Sequence, residues 1–122
     1  MEAKFTKGPW HKSGWKSAEV SIGIPGAEKI EIRSAAPTWG VASVYIIRDS
    51  DREIQEANAA LIVAAPKLYD AAEEILPDIE SEIEQRKYSG NDEDWRDLER
   101  KANALRAALA EARGKTDLGK AA

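Results

Sequence analysis

The sequence predicts an α+β fold: an antiparallel β-meander of three or four strands, then a proline-kinked helix and an antiparallel helical hairpin. Three observations point there. Residues 18–47 alternate apolar and polar side chains, the pattern of strands with one covered face. Residues 52–87 and 92–113 instead place apolar residues every third or fourth position, the period of a helix. Pro25-Gly26 and the Pro37-containing turn at 35–38 punctuate the first part, and Gly90 separates the two helical stretches.

A short strand around Trp10–Trp15 opens the sheet. Ala18–Ile24 follows, with Val20, Ile22 and Ile24 on one face, and Lys29–Ser34 repeats the pattern with Ile30 and Ile32. Trp39–Ile47 is rich in β-formers: Val41, Val44, Tyr45, Ile46 and Ile47. Asp49-Ser50-Asp51 is a cluster of helix-capping residues, acidic where the helix dipole favours acid. Beyond it Ile54, Ala57, Leu61, Ala65, Leu68, Ala72, Ile75, Ile79 and Ile83 form one stripe, expected to be buried. Pro66 either starts a new helix after a bend or kinks a continuous one, and Pro77 poses the same choice. Ala64 and Ala65 would let the bend lie close to the sheet. Gly90 is expected to end this helix. Trp95, Leu98, Ala102, Leu105, Leu109 and Ala112 then form a coiled-coil-like seam on the last helix. The expected organisation is a single domain over 1–113: sheet at 1–48, kinked helix at 49–87, C-terminal helix at 92–113. Residues 114–122 are expected to be a flexible tail.

A chain of 122 residues can build one modest core, so self-association would help it. With 43% hydrophobic and 33% charged residues it reads as globular rather than disordered. The absence of cysteine excludes a disulfide framework, thiolate zinc sites and a cysteine nucleophile. There is no apolar signal core and no stretch of membrane-spanning length, so the expected compartment is the cytoplasm. The net charge of −4 is unevenly spread. Residues 1–48 carry seven Lys/Arg against four Asp/Glu, a balance of +3, and 49–113 carry nine against seventeen, a balance of −8. Trp10, Trp15 and Trp39 fall in the basic part. Such a half suits a small anionic ligand, through phosphate contact and stacking, while the acidic half disfavours a long nucleic acid. Ordinary solvated surface has the same composition.

No catalytic constellation emerges. His11 is the sole histidine, and no nucleophile elbow accompanies it. Asp49, Asp51 and Glu53, like Asn91, Asp92 and Asp94, alternate as cation ligands do, but helix capping accounts for both groups. The reading is therefore of a protein that is not an enzyme and has no metal or cofactor. The candidate ligand-binding residues are Trp10, His11, Trp15, Trp39, Arg48, Arg52 and Asn58. Trp10 and Trp39 are expected in the core and Trp15, between Lys12 and Lys16, outside it. Arg48 and Arg52 flank the start of the long helix, where an anion is favoured; salt bridges to Asp49 or Asp51 are the alternative. Asn58 either ties the helix to a strand edge, sets helix register or meets a ligand.

Gly8-Pro9-Trp10 near the N-terminus, followed after a β region by Glu56–Tyr69 (EANAALIVAAPKLY), resembles a group of small phage and prophage proteins with a GPW start and an ANARLIAAAPELL-like helix. Here Ala60 stands for the group's arginine, Val63 for an alanine and Lys67 for a glutamate. The similarity covers roughly residues 5–76. The layout also looks like that of the Thoeris anti-defence proteins, which capture a cyclic ADP-ribose-type signal. What these resemblances imply is a phage-encoded, non-catalytic counter-defence protein, in the cytoplasm of a bacterial host, that sequesters a small nucleotide signal such as a cyclic ADP-ribose or a cyclic oligonucleotide. It is expected to be a homo-oligomer, because the 95–112 seam and the alanine-rich bend offer more apolar surface than one small sheet can cover. The alternative is an inhibitor that blocks a host defence protein with its acidic helical face, Asp70, Glu73, Glu74, Asp78, Glu80 and Glu84.

Overall fold

The computed structural model describes residues 5–34, 40–90 and 92–114, with side chains 92–94 outside the description. It is α+β. Strand β1 (Trp10–Lys12), strand β2 (Lys16–Ser17), a one-turn helix α1 (Glu19–Ile22), strand β3 (Glu28–Ser34) and strand β4 (Gly40–Ile46) are followed by helices α2 (Arg52–Ser89) and α3 (Asp92–Ala112). The chain forms two compact units whose boundary falls inside α2, between Lys67 and Leu68.

In the unit of Thr6–Lys67, β3 is the centre of an antiparallel sheet. β1 and β2 pair successive parts of one of its edges, and β4 pairs the other. Ile30 and Ile32 of β3, Val44 of β4 and Ala59 of α2 form the core, with Trp10, Trp15, Ile62 and Val63 packed around them. Ala59 is fully buried, so it is this small residue that lets α2 lie close to the sheet; the alanines at 64 and 65 are only half-buried. Trp15, expected outside the core, packs half-buried against it.

The expected strand over Ala18–Ile24 is corrected. The chain leaves the sheet after Ser17 and winds through α1 instead. Gly23 ends that turn in the left-handed region (φ 71°), and the Glu19 carboxylate accepts the Gly26 N–H at 2.8 Å. These local bonds close the connection into β3 and leave Val20 wholly exposed.

In the other unit, α3 lies antiparallel on the later part of α2. Three rungs set the register: Glu73–Arg113 at 3.1 Å, Glu80–Arg106 at 2.8 Å and Lys87–Glu99 at 3.5 Å. The rungs recur every seven residues on each helix, the repeat that keeps two helices facing. Ile83 of α2 and Ala102 and Leu109 of α3 fall between these rungs and Tyr69 of α2 one turn before the first, all buried. Gly90 (φ 82°) ends α2, as expected of it.

The helix α2 runs as one element through both prolines, so neither starts a new helix. Its buried face is only partly the expected one. Ala65, Ala72, Ile79 and Ile83 of the expected stripe are buried or half-buried, but Ile54, Leu61, Leu68 and Ile75 remain more than half exposed, and Ala59, Ile62, Pro66, Tyr69 and Leu76 are buried or half-buried instead. Ile62 replaces Leu61, Tyr69 replaces Leu68 and Leu76 replaces Ile75, a shift of one residue, or about 100° around a helix. The helix carries apolar residues on two neighbouring faces, and periodicity alone does not choose between them.

Candidate functional site

The two sequence signatures meet. Gly8 lies against Pro66, so close that a Cβ on Gly8 would stand 2.6 Å from the Pro66 Cβ. Pro9 and Trp10 then line a small cavity of about 200 Å³ with Ala60, Val63, Ala64, Pro66 and Lys67. The Trp10 ring N–H donates to the Thr6 carbonyl at 3.1 Å, which holds the preceding loop over α2. The glycine, the proline and the alanines thus form a packing joint that fastens the N-terminal segment to the long helix.

The other expected residues scatter. Trp15 and Arg52 come together, with the guanidinium 5.0 Å from the indole centroid. Their polar groups are already engaged within the chain. The Trp15 ring N–H donates to Glu56 at 2.9 Å, and Arg52 donates to Glu28 at 2.6 Å and Asp49 at 3.0 Å. Those bonds, Glu28's first, hold the guanidinium even more firmly protonated than usual. Arg48 is largely exposed and 3.8 Å from Asp51. The acidic cluster at 49–51 forms a 3₁₀ turn without a side-chain capping bond, so arginine pairing, not capping, occupies Asp49 and Asp51. Asn58 is exposed on α2 and donates to Gln55 at 2.9 Å. Together with Ser43, Val44, Tyr45, Leu61 and Ile62, these two residues line an open groove of about 470 Å³ beside β4. Trp39 and Asn91 lie outside the described residues, as do the side chains of Asp92 and Asp94.

Strand pairing assembles a different constellation on the sheet face opposite α2. Paired residues share a face. His11 stands opposite Arg33, Lys16 opposite Lys29, Lys29 opposite Tyr45, and Glu31 opposite Ser43. Three cations, Lys16, Lys29 and Arg33, thus surround one carboxylate, Glu31, a balance of +2, with His11 and Tyr45 at opposite ends. Glu31 accepts from Lys16 at 2.7 Å and from Arg33 at 3.0 Å. These two bonds, Lys16's first, pull its pKa down to about 2. Lys29 has no carboxylate partner among the described residues. Lys29, Glu31 and Arg33 are partly exposed even though they belong to the central strand.

Of the expected residues that are described, only His11 is placed on this face by strand pairing; Lys16, Lys29, Arg33 and Tyr45 were not singled out. The available signal was the alternation within β3, where Lys29, Glu31 and Arg33 take every position that Ile30 and Ile32 leave.

Together these features define a small α+β protein whose sheet packs a helix on one face and carries a partly exposed, cationic group on the other. The chain belongs to the Salmonella phage P22 protein Y8K6 family, whose model matches residues 1–116. It is a phage protein. No curated protein and no solved structure matches it. No described helix is long and apolar enough to cross a membrane.

Proposed function

We propose that this phage protein is a non-catalytic counter-defence factor that sequesters a small anionic nucleotide signal on the cationic face of its sheet. The observation that carries the reading is the group Lys16, Lys29 and Arg33, gathered from β2 and β3 onto one face, partly or fully exposed, beside His11 and Tyr45. Cations on a partly desolvated sheet attract phosphate, and the Tyr45 ring offers a surface on which a base can stack. Lys29, without a carboxylate partner among the described residues, is the first contact. Lys16 and Arg33 must exchange Glu31 for the ligand. Arg52 and Trp15 serve the fold rather than the ligand, since Glu28, Asp49 and Glu56 already occupy them. Sequestration asks only for affinity, in keeping with a sequence that offers no catalytic group.

Calorimetric titration against cyclic ADP-ribose isomers and cyclic oligonucleotides tests this. Binding is expected, with loss of at least tenfold in affinity in Lys29→Glu and in Arg33→Glu. The absence of heat with every ligand at micromolar protein removes the proposal.

A second reading has its own support. Asp70, Glu74 and Asp78, spaced four apart along α2, are exposed and have no cation partner among the described residues, whereas Glu73 and Glu80 are used in the hairpin. That acidic row fits a basic groove of a host protein. A stoichiometric protein recovered from host lysate, and lost on Asp70→Lys with Glu74→Lys, would favour blocking over sequestration.

A further inference from the structure

The two edges of the sheet are built differently. The β1/β2 edge is broken between Lys12 and Lys16, and both flanking lysines are exposed. Interruption and lysine are the devices that keep a strand edge from pairing with another chain. The β4 edge has neither a charge nor a proline from Gly40 to Ile47. Among the described residues nothing pairs with its outer side. An irregularity opposite Ile32/Arg33 leaves Val41 as an extra residue, so the regular run is Ala42–Ile46. Beside that run lie Ile47, 57% exposed, and Leu61 of α2, 63% exposed, with Ile54, 64% exposed, two turns earlier along the same line of α2.

We infer that β4 is the interface of a homodimer, in which a second copy of this chain adds its own β4 antiparallel to the first. Three features select a copy of the same chain. An antiparallel edge is its own complement under a two-fold axis. Centred on Val44, the pairing sets Ser43 against the copy's Tyr45 and Ala42 against its Ile46, with no charge meeting a like charge. The two-fold also brings each copy's Ile54 and Leu61 towards the partner, covering apolar surface that the monomer leaves in water. Both α2 faces then lie on one side of a continuous sheet and both cationic faces on the other. The dimer stands or falls independently of any ligand.

The extent sets the strength. Five residues of β4, Ile47 and the α2 residues Ile54, Gln55, Asn58, Leu61 and Ile62 make about half of the roughly 20 residues a side of a standard interface. The expected dissociation constant is therefore on the order of 10 µM rather than nanomolar. Sedimentation equilibrium of the full chain between about 1 and about 300 µM reads it directly. Wild type is expected to pass from monomer to dimer across that range. Ser43→Lys, which places like charges near the axis, and Leu61→Glu, on the exposed helix face, should each raise the constant at least tenfold with an unchanged circular dichroism spectrum. If Ser43→Lys loses its fold, Leu61→Glu decides. A monomer at about 300 µM overturns the inference. So does a dimer indifferent to both substitutions, or a monomer found with an extended peptide of another protein on β4.

Discussion

Replacing Gly8 by alanine probes the joint between the two sequence signatures. The new methyl carbon would lie 2.6 Å from the Pro66 Cβ and 3.0 Å from its Cγ. Two carbons rest at about 3.5–4.0 Å, so one side must yield by roughly 1 Å. Pro66 is poorly placed to do so, because its ring is fixed to the backbone of α2 and it is buried. Overpacking of this kind costs about 1–3 kcal/mol. For a chain of this size that corresponds to a fall in Tm of roughly 3–15 °C. Gly14→Ala supplies the matched control, since a Cβ there meets nothing within 4 Å. It should leave stability unchanged or raise it slightly, by restricting the unfolded chain. Urea and thermal denaturation of both variants, followed by circular dichroism, give the comparison. Equal stability of the two variants would refute the claim that Gly8 is a glycine because Pro66 leaves no room for more.

Two further predictions rest on charge. Glu31, with its pKa lowered from 4.5 to about 2, stabilises the fold above pH about 4.5 and loses that contribution as pH falls towards 2. Urea denaturation at descending pH should therefore show wild type and Glu31→Gln converging below pH about 4.5; a constant gap would show that the carboxylate's ion pairs are not its source. In the hairpin, Glu80→Arg or Arg106→Glu alone should cost about 0.5–1 kcal/mol, and the two together should recover most of it, because the exchange restores an ion pair in the same register. Additive losses in that double-mutant cycle would mean that the rung contributes nothing to register.

The order and type of most elements were legible because each rests on a local signal. Alternation marks β3 and β4, Gly90 closes α2, and the seam from Trp95 to Leu109 turns its buried members inward as the spacing requires. What failed needed information from elsewhere in the chain. The segment 18–24 has alternating Val and Ile, yet Glu19 bonds the Gly26 amide and the segment coils. In α2 the apolar residues are too many for one stripe. The sheet chooses Ala59 and Ile62, and α3 chooses Tyr69; neither choice is written in α2 itself.

The candidate site shows the same divide more sharply. Counting charges along the first 48 residues gives an excess of cations but no place for them. Lys16 and Lys29 are thirteen positions apart and become neighbours only because β2 pairs the start of β3; His11 and Arg33 become neighbours only because β1 pairs its end. Tryptophan, by contrast, drew attention through rarity, and rarity is not exposure: Trp10 and Trp15 both pack against the sheet's core. The residues able to meet an anion are those that no single stretch of sequence distinguishes. A sheet surface is a product of register, and one residue of slip in β3 would bury Lys29, Glu31 and Arg33 and present Ile30 and Ile32 to water. Burial of the two isoleucines therefore fixes the cationic face as firmly as it fixes the core, and the same contacts that stabilise the fold determine which charges solvent meets.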